Sequence, residues 1–385
     1  MPGTIEKRGK NSWRISIPGG YDEAGKRIWL ARDTLHFDPP MTQSAQRKEC
    51  EKALALLYAR VEGGEIIDAK QVTVKEFSER WMKEHVRLNL SPMSAENYRS
   101  FLDRHILPAL GRVKLRDLTP YAITKFLNHL RTEGLSGASV KHDYDTLSAM
   151  LSKAVQWRAI PYSPMKSVDP PKSETPPARF YDDVQALALL EALDAAPIKY
   201  RAAVYIALYG GLRIGETTGL LWEHINLEDG HIQVSQSLQY LPGKGTFTKG
   251  TKNNRARDFM LPQEAVVCIR ELRRYQVEQR LKLGDAWQER GFLFTQWNGA
   301  PMHPDTPSQW LRTFLKKNSL PPLSFHSLRH TNASIMIAGG MDVETIKERL
   351  GHSRASITMD TYGHAFKHKD KKAADILDNA LSRRR

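Results

Sequence analysis

Cysteine is nearly absent. Cys50 and Cys268 are the only two among 385 residues, far apart and without Cys-x-x-Cys or Cys/His ligand spacing, so neither a disulfide framework nor a zinc site is indicated. Nowhere do about 18 apolar residues run together as a membrane span requires. The opening MPGTIEKRGK lacks the apolar stretch of a secretory signal, and a soluble, cytoplasmic protein is expected. Internal repeats and low-complexity tracts are missing too. Acidic residues are in deficit: 43 Asp+Glu face 57 Lys+Arg, a formal net charge of +14. That excess points to a polyanionic partner, nucleic acid first. A solvated basic surface carries the same charge, so charge alone assigns nothing.

An apolar content of 41% over this length supports ordinary cores and two or three domains. Residues 1–65 read as a small β-sheet with a linking helix. Trp13, Ile15 and Ile17 alternate with polar residues, Gly19-Gly20 and Asp22 to Gly25 supply turn chemistry before KRIWLA, and a helical pattern runs from Ser44 to Val61. Residues 72–160 read as a four-helix module. It opens on the capping-box pattern Thr73-Val-Lys-Glu76 before Phe77 and Trp81. Later stripes carry Tyr98, Phe101, Leu102 and Ile106, then Ile123, Phe126, Leu127 and Leu130 after Thr119-Pro120, then Val140, Tyr144, Leu147, Leu151 and Ala154. Such stripes are core-forming faces. Six prolines between Pro161 and Pro177 make residues 161–177 a stiff linker.

Residues 178–370 then mix helical patterns with a small antiparallel sheet, in which HIQVSQSLQY, a turn at Pro242 to Gly245, GTFTK and ARDFML complete the strands. Residues 371–385 form a C-terminal tail. The expected architecture is multidomain and mainly α, with small antiparallel β-sheets.

Two clusters carry chemistry: GLRIGE at 211–216, and FHSLRHT at 325–331 followed by LGH at 350–352 and MDTYGH at 359–364. Arg213 and Arg329 offer rigid donor forks that match phosphate oxygens and stay charged at any usable pH. His326 and Arg329, three residues apart, share a helix face. Tyr362 stands in a polar context, where a phenol can become a nucleophile if cations lower the cost of its ionisation. Tyr98, Tyr144 and Tyr209 lie on apolar patterns and read as core, Tyr181 is ambiguous, and His330 and His364 read as structural or peripheral. No clustered carboxylates accompany the arginines, which disfavours a metal-dependent nuclease.

Taken in order, Arg213, a lysine on a following hairpin, H-x-L-R-H, L-G-H and a tyrosine ten residues on resemble the catalytic domain of tyrosine recombinases of the phage-integrase type. The helical module resembles their core-binding, SAM-like domain, and the N-terminal sheet their arm-binding domain. The resemblance thus covers nearly the whole chain, most specifically in the ordered catalytic set.

It implies site-specific DNA strand breaking and rejoining, in the integration and excision of a phage or other mobile element. Tyr362 attacks the scissile phosphate, Arg213 and Arg329 clamp its oxygens, His352 adds a hydrogen bond, and His326, with a near-neutral pKa, assists proton transfer. A hairpin lysine protonates the leaving 5′-oxygen. Lys249 and Lys252 compete for that role in KGTKNNRARDFMLP, and the match favours Lys249, although one extra residue before Pro262 departs from the common spacing. Glu216 is expected to orient an arginine.

Because the ester bond is conserved, no cofactor, neither ATP nor a metal, is implied. The implied partners are double-stranded DNA at attachment sites, a homotetramer on two duplexes, and accessory proteins for excision and DNA bending. Ile376, Leu377 and Leu381 in the tail fit either docking on a neighbouring protomer or packing in cis. Rival readings are a type IB topoisomerase, which shares the cleavage chemistry, and a catalytically silent DNA-binding protein.

Overall fold

The N-terminal β-sheet is built from β1 (Thr4–Gly9), β2 (Ser12–Tyr21) and β3 (Arg27–His36), an antiparallel meander with β2 in the middle. The computed structural model describes residues 3–21, 27–38, 41–62, 72–172, 179–250, 256–351 and 354. Two compact units emerge, Met1–Thr175 and Pro176–Arg385. The alternation of Trp13, Ile15 and Ile17 puts all three on the buried face of β2, under α1 (Gln43–Glu62), which contributes Cys50 and Leu54. Sequence reasoning saw a hairpin and missed β1. Its TIEKRG is almost wholly exposed, so it carries no alternating apolar signature.

The helical module of the first unit begins with α2 (Val74–Trp81), whose capping box closes through Thr73 and Glu76. That helix runs on through a π turn, Met82–Val86, into α3 (Arg87–Asn89). The next does the same: α4 (Pro92–Phe101), a π turn at Leu102–Ile106, then α5 (Leu107–Leu110). Pro108 has no N–H to offer the helix ladder. The ladder has already widened there, since the Leu107 N–H donates to the Leu102 carbonyl. Helices α6 (Pro120–Thr132) and α7 (Gly137–Gln156) follow, capped by Thr119 and Ser136. Their stripes, with Phe77, Trp81, Leu102 and Ile106, form one core.

The second unit is arranged around α9 (Ile198–Gly210), buried on nearly every face from Ala202 to Leu208. Before it comes α8 (Asp183–Leu193), and α10 (Ile214–Thr218) directly follows. Four strands come next: β4 (His231–Val234), β5 (Gln236–Leu241), β6 (Gly245–Gly250) and β7 (Arg257–Met260). The helices α11 (Gln263–Leu283), α12 (Thr306–Lys317), α13 (Phe325–Ala338) and α14 (Val343–Leu350) follow among the described residues.

One expected strand is two. HIQVSQSLQY breaks at Ser235, so that β4 pairs with β7 while β5 pairs with β6. Ile232 and Val234 are drawn into the core beside Phe259. β5 instead turns onto α10, where the Gln236 side chain donates to the Gly219 carbonyl. Among the described residues, no helix is long and apolar enough to cross a membrane.

Candidate active site

Arg213 stands where α9 gives way to α10. α9 ends on Gly211, whose φ of +61° turns the chain in a way that disfavours any residue with a Cβ. Leu212 then plugs the core, and Arg213, in extended conformation, is the residue that opens α10. Glu216, three residues on, folds its carboxylate back: Oε2 accepts from the Arg213 backbone N–H at 2.9 Å and Oε1 from Arg213 Nη1 at 2.8 Å. The Arg213 side chain stays 45% exposed beside a carboxylate that is only 7% exposed.

Arg329 reaches the same place from the far end of the unit. It lies in the first turn and a half of α13, which Ser324 caps. Although 2% exposed, its guanidinium donates through Nη1 to the Gly211 carbonyl at 2.8 Å. Desolvating a guanidinium is costly unless it is hydrogen-bonded, so this bond ties α13 to the turn that aims Arg213. Asn332, one turn further, donates to the Tyr209 carbonyl.

His326 is exposed on the same helix face. Partial desolvation, then the charges of Arg329 and Arg213, push it below the ordinary histidine value, with Glu216 opposing. The near-neutral value expected from sequence is thereby shifted down, and the ring is neutral at pH 7 and able to accept a proton. His330 packs edge-on against it, centroids 5.0 Å apart. Burial and then the neighbouring His326 and Arg329 push His330 down to about 4. Tyr181 is core: 2% exposed, its hydroxyl donates to the Pro321 carbonyl.

Lys249 is exposed near the end of β6, opposite Ser237 on β5. The hairpin is pressed against α10, because a Cβ on Gly215 would stand 2.5 Å from Ser237 Oγ and 2.7 Å from the Leu238 carbonyl. Glycine at 215 therefore lets the lysine-bearing hairpin dock on the helix that starts at Arg213. Lys252, His352, Tyr362, His364 and the tail residues Ile376, Leu377 and Leu381 lie outside the described residues.

Arg257 was missed by sequence reasoning. On β7 and 12% exposed, it donates to both oxygens of Glu216, Nη1 to Oε1 at 3.1 Å and Nη2 to Oε2 at 2.6 Å. Its Nε donates to the Arg349 carbonyl in the last turn of α14. No motif spacing signalled it, because its partner lies 41 residues earlier.

Burial by itself would raise the Glu216 carboxyl. Hydrogen bonds and charge from Arg257, then from Arg213, outweigh burial and hold it at about 2. Two arginines thus share one carboxylate, leaving a local excess of positive charge suited to a phosphodiester. Among the described residues no group of three or more His, Cys, Asp or Glu is arranged to hold a metal ion.

Comparison with known proteins matches residues 179–369 to the phage integrase family and residues 73–131 to the phage integrase N-terminal SAM-like domain. The chain is similar to the ICEBs1 integrase of Bacillus subtilis (strain 168), at 26% identity over 294 residues, 76% of this chain and 80% of the relative. It is likewise similar to a XerC-like tyrosine recombinase of Caldanaerobacter subterraneus subsp. tengcongensis, 26% identical over 394 residues and covering 97% of each. Among solved structures, the Tn1549 transposon integrase in complex with transposon right end DNA superposes with a TM-score of 0.68 at 20% identity, covering 81% of this chain and 100% of that one. A lambda integrase tetramer bound to a Holliday junction gives 0.55 at 20% identity, covering 91% and 96%. At such identities the structural likeness speaks for the fold.

Proposed function

We propose, for a chain that belongs to the phage integrase family of tyrosine recombinases, that it is a site-specific DNA recombinase integrating and excising a mobile element through a 3′-phosphotyrosyl intermediate. The observation that carries the reading is the convergence of Arg213 and the buried Arg329 on one turn, from positions 116 residues apart, with His326 on the same helix face. Two fixed guanidiniums suit the non-bridging oxygens of a phosphodiester, and donors aimed where charge develops stabilise the transition state without reorganising.

In this reading the Tyr362 oxygen attacks phosphorus, its proton passing to neutral His326. The P–O bond to the 5′-oxygen breaks, and that oxygen takes a proton from the hairpin lysine, Lys249, with Lys252 as the alternative. His352 adds a hydrogen bond to the phosphate. Attack by the 5′-hydroxyl of a partner strand reverses the steps and reseals the backbone. One ester replaces another, so the chemistry itself calls for no ATP.

The proposed substrate is double-stranded DNA at attachment sites. The helical module supplies sequence choice through base edges, and phosphate contacts supply affinity. The proposed assembly is a homotetramer on two duplexes, assisted by excision and DNA-bending proteins.

The test is capture of an SDS-resistant protein–DNA complex on DNA from the ends of the encoding element, comparing wild type with Tyr362→Phe, with a gel shift confirming that both bind. Attachment of wild type alone through a 3′-phosphate supports the reading. Binding by both with attachment by neither sinks it in favour of a silent DNA-binding protein.

A further inference from the structure

We propose that Arg257 is a positioning residue for strand cleavage: it occupies both oxygens of the Glu216 carboxylate and so keeps the Arg213 guanidinium available to a DNA phosphate. The inference rests on the recombinase reading and deepens it.

Glu216 poses an electrostatic problem. A buried carboxylate one hydrogen bond from Arg213 is the right group to fix that arginine and the wrong group to place beside a phosphate. Left with Arg213 as its only cation, it would draw the whole guanidinium fork inward, since paired N–H···O bonds to a carboxylate are the strongest arrangement open to an arginine.

Arg257 prevents this by geometry. Its two terminal nitrogens each donate to one Glu216 oxygen, so Arg213 keeps a single side-chain bond, through Nη1 to Oε1, together with the bond from its backbone N–H to Oε2. The remaining Arg213 donors sit on a side chain 45% exposed. Counted together, the three groups carry one net positive charge where Arg213 and Glu216 alone carry none.

Arg257 makes a second connection. Its Nε donates at 3.2 Å to the Arg349 carbonyl, and α14 ends one residue later at Leu350, two before His352. A single side chain therefore joins the strand that follows the lysine hairpin, the carboxylate that holds Arg213, and the end of the helix leading into the L-G-H segment. A lysine could supply the charge but not three donors in one plane.

The test measures, in the full-length protein, the rate of covalent attachment to a nicked substrate that traps cleavage, at saturating DNA, alongside gel-shift affinity and thermal unfolding. The variants are R257M, R257K, E216Q and E216Q/R257M. Displacing a phosphate-binding arginine by about an ångström costs up to roughly 100-fold, so R257M is expected to cleave about 10- to 100-fold more slowly with DNA affinity changed no more than about threefold. In the E216Q background, where no carboxylate competes, the same substitution is expected to cost less than about threefold, and R257K is expected at an intermediate rate.

Cleavage by R257M at the wild-type rate overturns the proposal. So does an equal loss in both backgrounds, or a loss lying wholly in DNA affinity. Should R257M fail to fold, R257K carries the test: a wild-type rate from it overturns the proposal. A wild type that never attaches to DNA sinks the recombinase reading itself, whereas the Arg257 proposal fails only against an active wild type.

Discussion

Replacing Glu216 with glutamine should destabilise the second unit by an amount that depends on pH in a defined way. The carboxyl is held at about 2 against an ordinary 4.5, and at about 1.4 kcal/mol per unit this depression is worth roughly 3 kcal/mol of folding free energy. Because the folded value lies below the unfolded one, the contribution is fully present above the unfolded value and is lost as pH falls through the folded value. The difference between wild type and E216Q should therefore stay near 3 kcal/mol from pH 7 to about pH 5.5, fall to about 2 kcal/mol at pH 3.5, and vanish towards pH 1.

An independent route gives a similar size, since removing one partner of a buried ion pair typically costs about 3–5 kcal/mol. The two units need not unfold together, so a single transition is a poor measure. Urea titrations read by pulse-labelled hydrogen exchange on peptides spanning residues 198–218 report the relevant unit. A gap under about 1 kcal/mol at pH 7, or one equally large at pH 3.5, would refute the argument that Glu216 is a satisfied buried anion.

Other expectations are as direct. Arg329→Lys keeps the charge but loses the planar set of donors of which Nη1 holds the Gly211 carbonyl. Covalent attachment to trapped substrates should slow by about 100-fold or more, and a loss below tenfold would remove Arg329 from the phosphate clamp. Gly215→Ala forces a Cβ to within 2.5 Å of Ser237 Oγ, so the hairpin must shift; thermal unfolding should show a loss of about 1–3 kcal/mol, and unchanged stability would refute the close docking of β5 on α10. Because His326 is pushed below its ordinary value, the acid limb of the cleavage rate, where the neutral ring is needed, should have its midpoint below 6.5. A pH–rate profile with that limb above 6.5, or one unaltered in His326→Gln, would argue against its role as proton acceptor.

Much of this architecture was legible in linear order. The stripes of the helical module fell on one core because a 3.6-residue period can be read locally, and the caps at Thr73 and Thr119 are likewise set by a few consecutive residues. What escaped was whatever depends on a remote partner. β1 is a strand because β2 offers it hydrogen bonds, not because its side chains alternate. The break at Ser235 exists because two neighbouring stretches of one apolar pattern pack against different elements.

From the sequence came the linear order of these residues, Arg213, a hairpin lysine, His326 with Arg329, His352 and Tyr362, and with it the resemblance to tyrosine recombinases that implies their roles. Tertiary structure alone decided how Glu216 is shared between Arg213 and Arg257, how α13 is tied to the Gly211 turn, and how far His326 is shifted. The Arg257–Glu216 and Arg329–Gly211 contacts are set by distances of about 3 Å between residues 41 and 118 positions apart, and the His326 shift by burial and by charges carried on other elements. Hydrogen bonds and desolvation act through space, so no local pattern in the chain announces them.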